Sequence, residues 1–131
     1  MPSADAFEDA LNYARERIVF GRPISVNQLI RSKIGQMALR LQASRQLSYG
    51  AARLLDVGHG QVKASLAKLY ASRMAELVTR EAMQLNGAMG YGDETDAARC
   101  FVDVRVWAIF EGTEGVLSLR VVGPALRRDT K

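Results

Sequence analysis

Three short segments of the sequence bring polar or charged side chains next to glycines at the ends of expected helices. They span residues 17–24, 84–91 and 109–113 and read RIVFGRPI, QLNGAMGY and IFEGT. A glycine at a helix end leaves backbone amides free and lets a ligand approach the chain closely. Each segment taken singly is explained as well by a glycine that merely ends a helix. The three together indicate a ligand site.

Thiol, imidazole and metal chemistry have little support in this sequence, which contains one cysteine, Cys100, and one histidine, His59. A single cysteine cannot form an internal disulfide and fits a reducing compartment, so we expect the cytoplasm. With so few partners to activate the thiol, we expect Cys100 to be buried and inert. We expect no metal site, because there is neither a histidine cluster nor a Cys-x-x-Cys pair.

Length and composition predict one packed domain over residues 1–131, since 48% of the residues are hydrophobic. No apolar run reaches the roughly 18 residues that a membrane helix needs, and the first residues do not resemble a targeting segment, so we expect no membrane partner. The net charge of +4 comes from 18 basic residues spread among 14 acidic ones. We interpret these charges as solvated helix surface, and we expect no nucleic-acid ligand.

Helical spacing of apolar residues predicts the elements that position these segments. The first helix has its stripe at Phe7, Leu11, Ala14 and Ile18. Gly21 and Pro23 should end that helix, and Ser25 with Gln28 has the form of a capping box at the start of the next one. The second stripe is long and consists of Ile30, Ile34, Met37, Leu41, Ser44, Ser48, Ala51 and Leu55.

A third helix is predicted from near Gln61 to a C-cap at Asn86 and Gly87. Residues 96–109 then resume a helical pattern, and Thr113 is a suitable N-cap for a last helix through Val122. No sheet partner is visible for Val121 and Val122. The predicted fold class is therefore all-α, an up-and-down helical bundle with three long helices and two shorter ones.

In this order, the motifs resemble those of the acyl-CoA dehydrogenase family's C-terminal domain. The family pattern is Arg-x-x-Phe-Gly, a Gln after the next turn, Gln-x-x-Gly-Gly-x-Gly-Tyr/Phe, and Glu-Gly-Thr. This sequence matches it at Arg17 to Gly21, Gln28, Gln84 to Tyr91 and Glu111 to Thr113. The resemblance runs from about residue 10 to 126 and implies a FAD-dependent enzyme that acts on acyl-CoA thioesters.

The resemblance implies that Glu111 is the base that removes the α-proton of the acyl thioester, while a hydride leaves the β-carbon for the flavin. Flanking Ile109 and Phe110 should shield the carboxylate from water, and shielding strengthens a carboxylate base. Gly112 would let the substrate lie against the backbone. The alternative is that Glu111 is a solvated carboxylate that precedes an N-cap.

The same resemblance implies six FAD-contacting residues. Arg17 and Phe20 would touch FAD from a neighbouring subunit, with the guanidinium suited to the pyrophosphate. Gln84 and Gly87 match the segment that meets the adenosine half. Two further contacts are implied at Gln28 and Thr113. The alternatives are a surface arginine, a capping glutamine and a C-cap glycine.

The sequence departs from the family pattern at Ala88, Val102 and Gly115, where the family carries glycine, arginine, and glutamate or glutamine. Gly115 removes one expected flavin contact. The family's N-terminal helical and middle β-domains have no counterpart in this sequence, so we expect the chain alone to be inactive.

Two hypotheses follow. The first is the C-terminal domain of an acyl-CoA dehydrogenase, homo-oligomeric as a dimer or tetramer or completed by the missing domains. The alternative is a non-catalytic helical assembly subunit of an acyl-CoA dehydrogenase-like complex.

Overall fold

The computed structural model describes residues 1–92 and 95–128, which form a helical bundle, so the predicted fold class is confirmed. Three helices carry most of the chain: α1 (Pro2–Glu16), α2 (Gln28–Asp56) and α3 (Gln61–Asn86). The shorter ones are α4 (Ala97–Arg105), α5 (Glu114–Val116) and α6 (Gly123–Arg128). Short 3-10 turns cover Ile24–Val26, Gly87–Gly90 and Val106–Ala108, and Leu117–Val122 is a π-helical turn between α5 and α6.

Helix α3 lies at the centre and contacts α1, α2, α4 and the C-terminal turns. Asp9 of α1 bonds to Asn86, the last residue of α3, so α1 runs beside α3 and continues past its C-terminal end. Lys33, near the start of α2, pairs with Glu81, so α2 runs antiparallel to α3. Arg105, at the end of α4, pairs with Glu76 at 2.6 Å, which makes α4 antiparallel as well.

The core between these helices is built from small and medium side chains. It consists of Ala6, Ala10, Met37, Leu41, Val78, Ala82, Leu85 and Cys100. The face that α1 buries is thus the row Ala6, Ala10 and Ala14, while Phe7 and Leu11 of the predicted stripe are only half-buried. Alanine at the contact lets the two helix backbones approach closely, which a row of larger side chains would prevent. In α2, the predicted stripe is buried at Met37, Leu41, Ser44 and Ala51.

The chain between α1 and α2 corrects two predictions. Ile18 does not continue α1; residues Ile18–Val19 (β1) and Arg22–Pro23 (β2) instead pair as a two-stranded antiparallel hairpin. The Ile24 amide then donates to the Arg17 carbonyl at 2.9 Å, which closes the base of the hairpin. The capping box is also wrong, because Ser25 lies in a 3-10 turn and α2 begins at Gln28, after an N-cap Asn27 without a side-chain bond.

The C-terminal turns follow the prediction at their start. The Thr113 hydroxyl accepts a hydrogen bond from the Val116 amide at 3.3 Å, so Thr113 is the N-cap of α5. The helical path then continues beyond Val122 to Arg128, six residues further than predicted. Within the described ranges, no helix is long and apolar enough to cross a bilayer.

Candidate functional site

The residues predicted to bind or react lie in two groups along α3. One group includes Arg17 and Phe20, which follow α1, and Gln28, which begins α2. The end of α1 and the start of α2 lie near the C-terminal end of α3. Gln84 and Gly87, at that end of α3, complete the group. Glu111, Gly112 and Thr113 instead lie against the N-terminal half of α3, since Lys68 contacts Gly112. Lys68 and Gln84 are separated by about 24 Å along the helix at 1.5 Å per residue.

The first group is the Glu111 turn, residues 111–113. Glu111 has a φ of +58° and Gly112 a φ of +92°, so both residues adopt the left-handed conformation. That conformation is unusual for a glutamate and requires support from the surrounding structure. Leu117 packs beneath Gly112, where an added Cβ would lie 3.2 Å from the leucine Cδ2. A glycine at position 112 therefore serves both the backbone conformation and the close packing.

Several contacts attach the Glu111 turn to α3. The Lys68 ammonium donates to the Gly112 carbonyl at 2.7 Å. The Glu114 carboxylate accepts from Ser72 Oγ at 3.1 Å and from Arg73 Nε at 2.9 Å. Burial raises the pKa of Glu114, but the bonds from Arg73 and Ser72 outweigh burial, and the pKa lies below its usual value. The turn is thus held at Gly112 by Lys68 and just after it by the bonds to Glu114.

The Glu111 side chain is exposed. Ile109 and Phe110 are also about half exposed, at 55% and 48%, so they do not shield it as the sequence suggested. Residues 109–111 lie between the 3-10 turn Val106–Ala108 and α5 rather than within a helix, so Ile109 and Phe110 are not part of a packed helix face. Among the described residues, no side chain hydrogen bonds to its carboxylate, which leaves both oxygens free to meet a ligand.

At the hairpin, Phe20 occupies the tip with its side chain fully exposed. Phe20 and the following Gly21 have φ values of +53° and +76°, as in the two-residue turns that suit a β-hairpin. Asparagine is a favoured residue at such a position, and a phenylalanine there is strained without burying any surface. Arg17 and Gln28, on either side of the hairpin, are exposed too.

The remaining two predicted residues lie at the C-terminal end of α3. Gly87 is the C-cap with a φ of +60°, and open space surrounds it, since a Cβ there would meet no atom within 4 Å. Gln84 is exposed one turn earlier. Both line a shallow groove with Arg80, Met83, Tyr91 and Phe101. Gly90 closes the segment tightly, because a Cβ there would be 2.4 Å from the Met83 carbonyl oxygen.

Cys100 is buried against α1 and α3, and burial raises the pKa of its thiol. A thiol with a raised pKa is a poor nucleophile at neutral pH, in agreement with the expectation of an inert cysteine. Across residues 1–92 and 95–128, no group of three His, Cys, Asp or Glu side chains could hold a metal ion.

Known proteins identify the family to which this chain belongs. The family profile described as the acyl-CoA dehydrogenase C-terminal domain matches residues 2–125, which is nearly the whole chain. The chain belongs to the acyl-CoA dehydrogenase family. It corresponds to the family's C-terminal helical domain, as its motifs indicated.

Individual relatives show how much of an acyl-CoA dehydrogenase the chain represents. It is 40% identical over 123 residues to the human short-chain specific acyl-CoA dehydrogenase, covering 93% of this chain and 30% of that protein. It is 37% identical to cyclohexane-1-carbonyl-CoA dehydrogenase of Geobacter metallireducens, covering 93% and 32%. The structure of butyryl-CoA dehydrogenase from Megasphaera elsdenii superimposes with a TM-score of 0.93 at 38% identity, covering 97% and 33%. The chain therefore spans about a third of the length of these relatives.

The sequence interpretation missed the residues that hold the Glu111 turn, namely Lys68, Ser72 and Arg73. Glu114, which was not among the predicted site residues, bonds to Ser72 and Arg73. One signal was available: Lys68 and Ser72 are four residues apart and share a face of α3. Two polar side chains on one face of a packed helix are expected to hydrogen bond to another segment of the chain. The sequence does not show which segment provides those bonds.

Proposed function

We propose that this chain is the C-terminal domain of a FAD-dependent acyl-CoA dehydrogenase, in which Glu111 removes the α-proton during α,β-dehydrogenation of an acyl-CoA thioester. The observation that carries the proposal is the Glu111 turn itself. A glutamate in the left-handed conformation, free at its carboxylate, is held to a central helix by Lys68, Ser72 and Arg73. Such strain in an exposed turn is typical of a functional site.

The chemistry assigned to the turn is simple. The Glu111 carboxylate takes the α-proton of the thioester and becomes a carboxylic acid, and the electron pair of that C–H bond forms the new double bond as hydride leaves the β-carbon. FAD, when bound, supplies the acceptor for that hydride. Gly112, without a side chain, leaves room for the acyl thioester to lie against the backbone. Because Glu111 is exposed in this chain, the substrate and the other domains would exclude water from it.

The donor set at the other end of α3 fits the extremities of FAD. The Arg17 guanidinium suits a pyrophosphate, the exposed Phe20 ring suits a flat apolar or aromatic face, and Gln84 offers an amide. Gly87 leaves the backbone open to a close approach, since nothing occupies the space around it. Gln28 and Thr113 are the remaining FAD contacts that we propose.

The distance between the two groups supports a shared site between subunits. The Glu111 turn is attached to α3 at Lys68, and Gln84 is a residue of α3. Lys68 and Gln84 are about 24 Å apart along the helix. We therefore propose that the hairpin end contacts the FAD of a neighbouring subunit, while the Glu111 turn serves its own. This requires a homo-oligomer, a dimer or a tetramer. The exposed Leu47, Tyr49 and Leu55 of α2 offer apolar surface for assembly.

The cellular setting is also a proposal. We place the enzyme in fatty acid metabolism, and the lone Cys100 favours a reducing compartment such as the cytoplasm. The human relative is named as mitochondrial. Cell fractionation with an antibody to the chain would distinguish these compartments.

The test uses the complete enzyme, with the chain joined to or assembled with the domains that its relatives carry. Glu111→Gln should keep its FAD but lose flavin reduction by acyl-CoA, because an amide cannot accept the proton; general-base effects are worth about 10²–10⁴-fold. Glu111→Asp should be slow rather than inactive. Glu8→Gln, at an exposed site on α1, is the matched control and should reduce at the wild-type rate. A wild-type rate for Glu111→Gln would place the base elsewhere and favour the assembly subunit.

A further inference from the structure

Lys68 differs from the two arginines of α3 in what it bonds to. Arg73 pairs with the carboxylate of Glu114, and Arg80 pairs with the carboxylate of Glu81. Lys68 is half-buried and directs its ammonium to the neutral carbonyl of Gly112 at 2.7 Å. In the described part of the chain, none of the ion pairs includes Lys68. A charged donor that holds a backbone carbonyl fixes the orientation of that peptide group.

The position of this bond in the Glu111 turn matters. Gly112 is the residue of the turn whose own side chain restricts the backbone least, because a glycine reaches backbone conformations that other residues avoid. The Glu114 bonds to Ser72 and Arg73 hold the chain only after the turn. Among the residues that the structure describes, Lys68 is the one whose side chain hydrogen bonds to Gly112 itself. Without it, the Gly112–Thr113 peptide could rotate while Glu114 stayed attached, and the backbone of the adjacent Glu111 would no longer be fixed.

We propose that Lys68 is a positioning residue for the reaction, one that holds the Glu111 carboxylate at the α-carbon of the substrate through the Gly112 carbonyl. The inference rests on the proposed role of Glu111 as the base. Lys68 touches neither substrate nor the reacting atoms; it acts through the backbone of the turn. Proton transfer depends steeply on geometry, so a displacement of about 1 Å can slow a reaction by 10²-fold.

Two substitutions in the complete enzyme test this directly. Lys68→Met keeps an unbranched side chain of similar length but removes the donor, and Lys68→Arg keeps a charged donor. We expect Lys68→Met to lower kcat by about 10–100-fold, with KM for acyl-CoA and FAD content nearly unchanged. Lys68→Arg should recover most of that loss. Lys63→Met, at an exposed position on the same helix, is the matched control and should keep the wild-type kcat.

A second measurement does not need activity. In the 131-residue chain, ¹⁵N relaxation should show lower order parameters for the Glu111 and Gly112 amides in Lys68→Met, while amides of α3 stay rigid. The same chain carrying Lys63→Met should match the wild type. An unchanged turn in Lys68→Met would overturn the proposal, as would a wild-type kcat in that variant.

The outcomes separate this inference from the function that it rests on. If Glu111→Gln is inactive while Lys68→Met keeps the wild-type kcat, the base is assigned correctly and only the positioning role is wrong. If Glu111→Gln keeps the wild-type rate, the proposed function fails whatever Lys68 does. If Lys68→Met loses FAD or melts early and Lys68→Arg does not restore kcat, Lys68 has a general structural role and the proposal is overturned.

Discussion

Asn86 at the end of α3 donates a hydrogen bond from Nδ2 to Oδ2 of Asp9 in α1, over 2.9 Å. Asn86 is 1% exposed, and its other side-chain atom, Oδ1, has no partner in the described part of the chain. The bond joins residues that are 77 positions apart and fixes the end of α3 from which the Gln84 and Gly87 segment leaves. The packing of two helices and the position of two proposed cofactor contacts thus depend on this pair.

Removal of the acceptor should be costly for folding. Asp9→Ala leaves the buried amide group of Asn86 without its partner, and an unsatisfied buried donor costs about 1–3 kcal/mol of the free energy of unfolding. Urea denaturation of the 131-residue chain would measure this loss. Glu8→Ala, at the exposed neighbouring position, should change the free energy by less than about 0.5 kcal/mol. Equal effects of the two substitutions would contradict the role of the pair.

Two glycine-to-alanine substitutions should act in opposite directions. At Gly90 the new Cβ would lie 2.4 Å from the Met83 carbonyl oxygen, so Gly90→Ala must displace backbone and should destabilise the chain by about 1–3 kcal/mol. At Gly35, in the exposed middle of α2, a Cβ meets nothing within 4 Å. Gly35→Ala should therefore stabilise the chain by up to about 1 kcal/mol, through helix propensity.

Thermal unfolding followed by circular dichroism compares the three chains directly. Melting temperatures for Gly90→Ala below and Gly35→Ala above the wild type are the expected order. If Gly90→Ala melted with the wild type, the close approach of the Gly87–Gly90 turn to α3 would be wrong.

The Glu114 contacts predict a dependence of stability on pH. Burial raises the pKa of Glu114, but the bonds from Arg73 and Ser72 lower it below its usual 4.5. A folded-state pKa below the unfolded one means that this contribution is complete above about pH 4.5 and is lost as the pH falls through the folded-state pKa. Glu114→Gln should cost about 1 kcal/mol at pH 7, a modest value because Arg73 is largely exposed.

Urea titrations at pH 7, 5 and 3 would measure this dependence. The difference between wild type and Glu114→Gln should be the same at pH 7 and 5 and smaller at pH 3, because the unfolded-state carboxylate is protonated below about pH 4.5. Glu8→Gln should follow the wild type throughout. A Glu114→Gln deficit as large at pH 3 as at pH 7 would show that the carboxylate charge is not what stabilises the turn.

Phe20 should matter for cofactor binding but not for folding. Its side chain is fully exposed and its φ is +53°, so Phe20→Asn should leave the chain as stable as before or up to about 1 kcal/mol more stable. In the complete enzyme, loss of the ring should weaken FAD binding by about tenfold. Phe20→Tyr, which keeps the ring, is the control and should retain FAD.

Flavin content after gel filtration, and quenching of FAD fluorescence, would measure the cofactor side of this prediction. Retention of FAD by Phe20→Asn at the wild-type affinity would remove the hairpin tip from the proposed flavin contacts.

The sequence alone was sufficient for the features that depend on neighbouring residues. Helical periodicity predicted the three long helices, Gly87 as the C-cap of α3 and Thr113 as the N-cap of α5, all confirmed by the structure. These follow from local backbone geometry, which the residue types within one or two turns determine. The motifs around Arg17, Gln84 and Glu111 were also enough to indicate the family, because their order and spacing can be read directly from the sequence.

What the sequence did not determine depends on contacts between distant residues. The burial of the alanine row on α1, rather than Phe7 and Leu11, follows from how closely α3 approaches, and no local pattern encodes that distance. The left-handed turn that contains Glu111 is held by Lys68, 44 positions away from Gly112. Only the folded chain brings these two residues together, so only the tertiary structure shows what holds the proposed base in place.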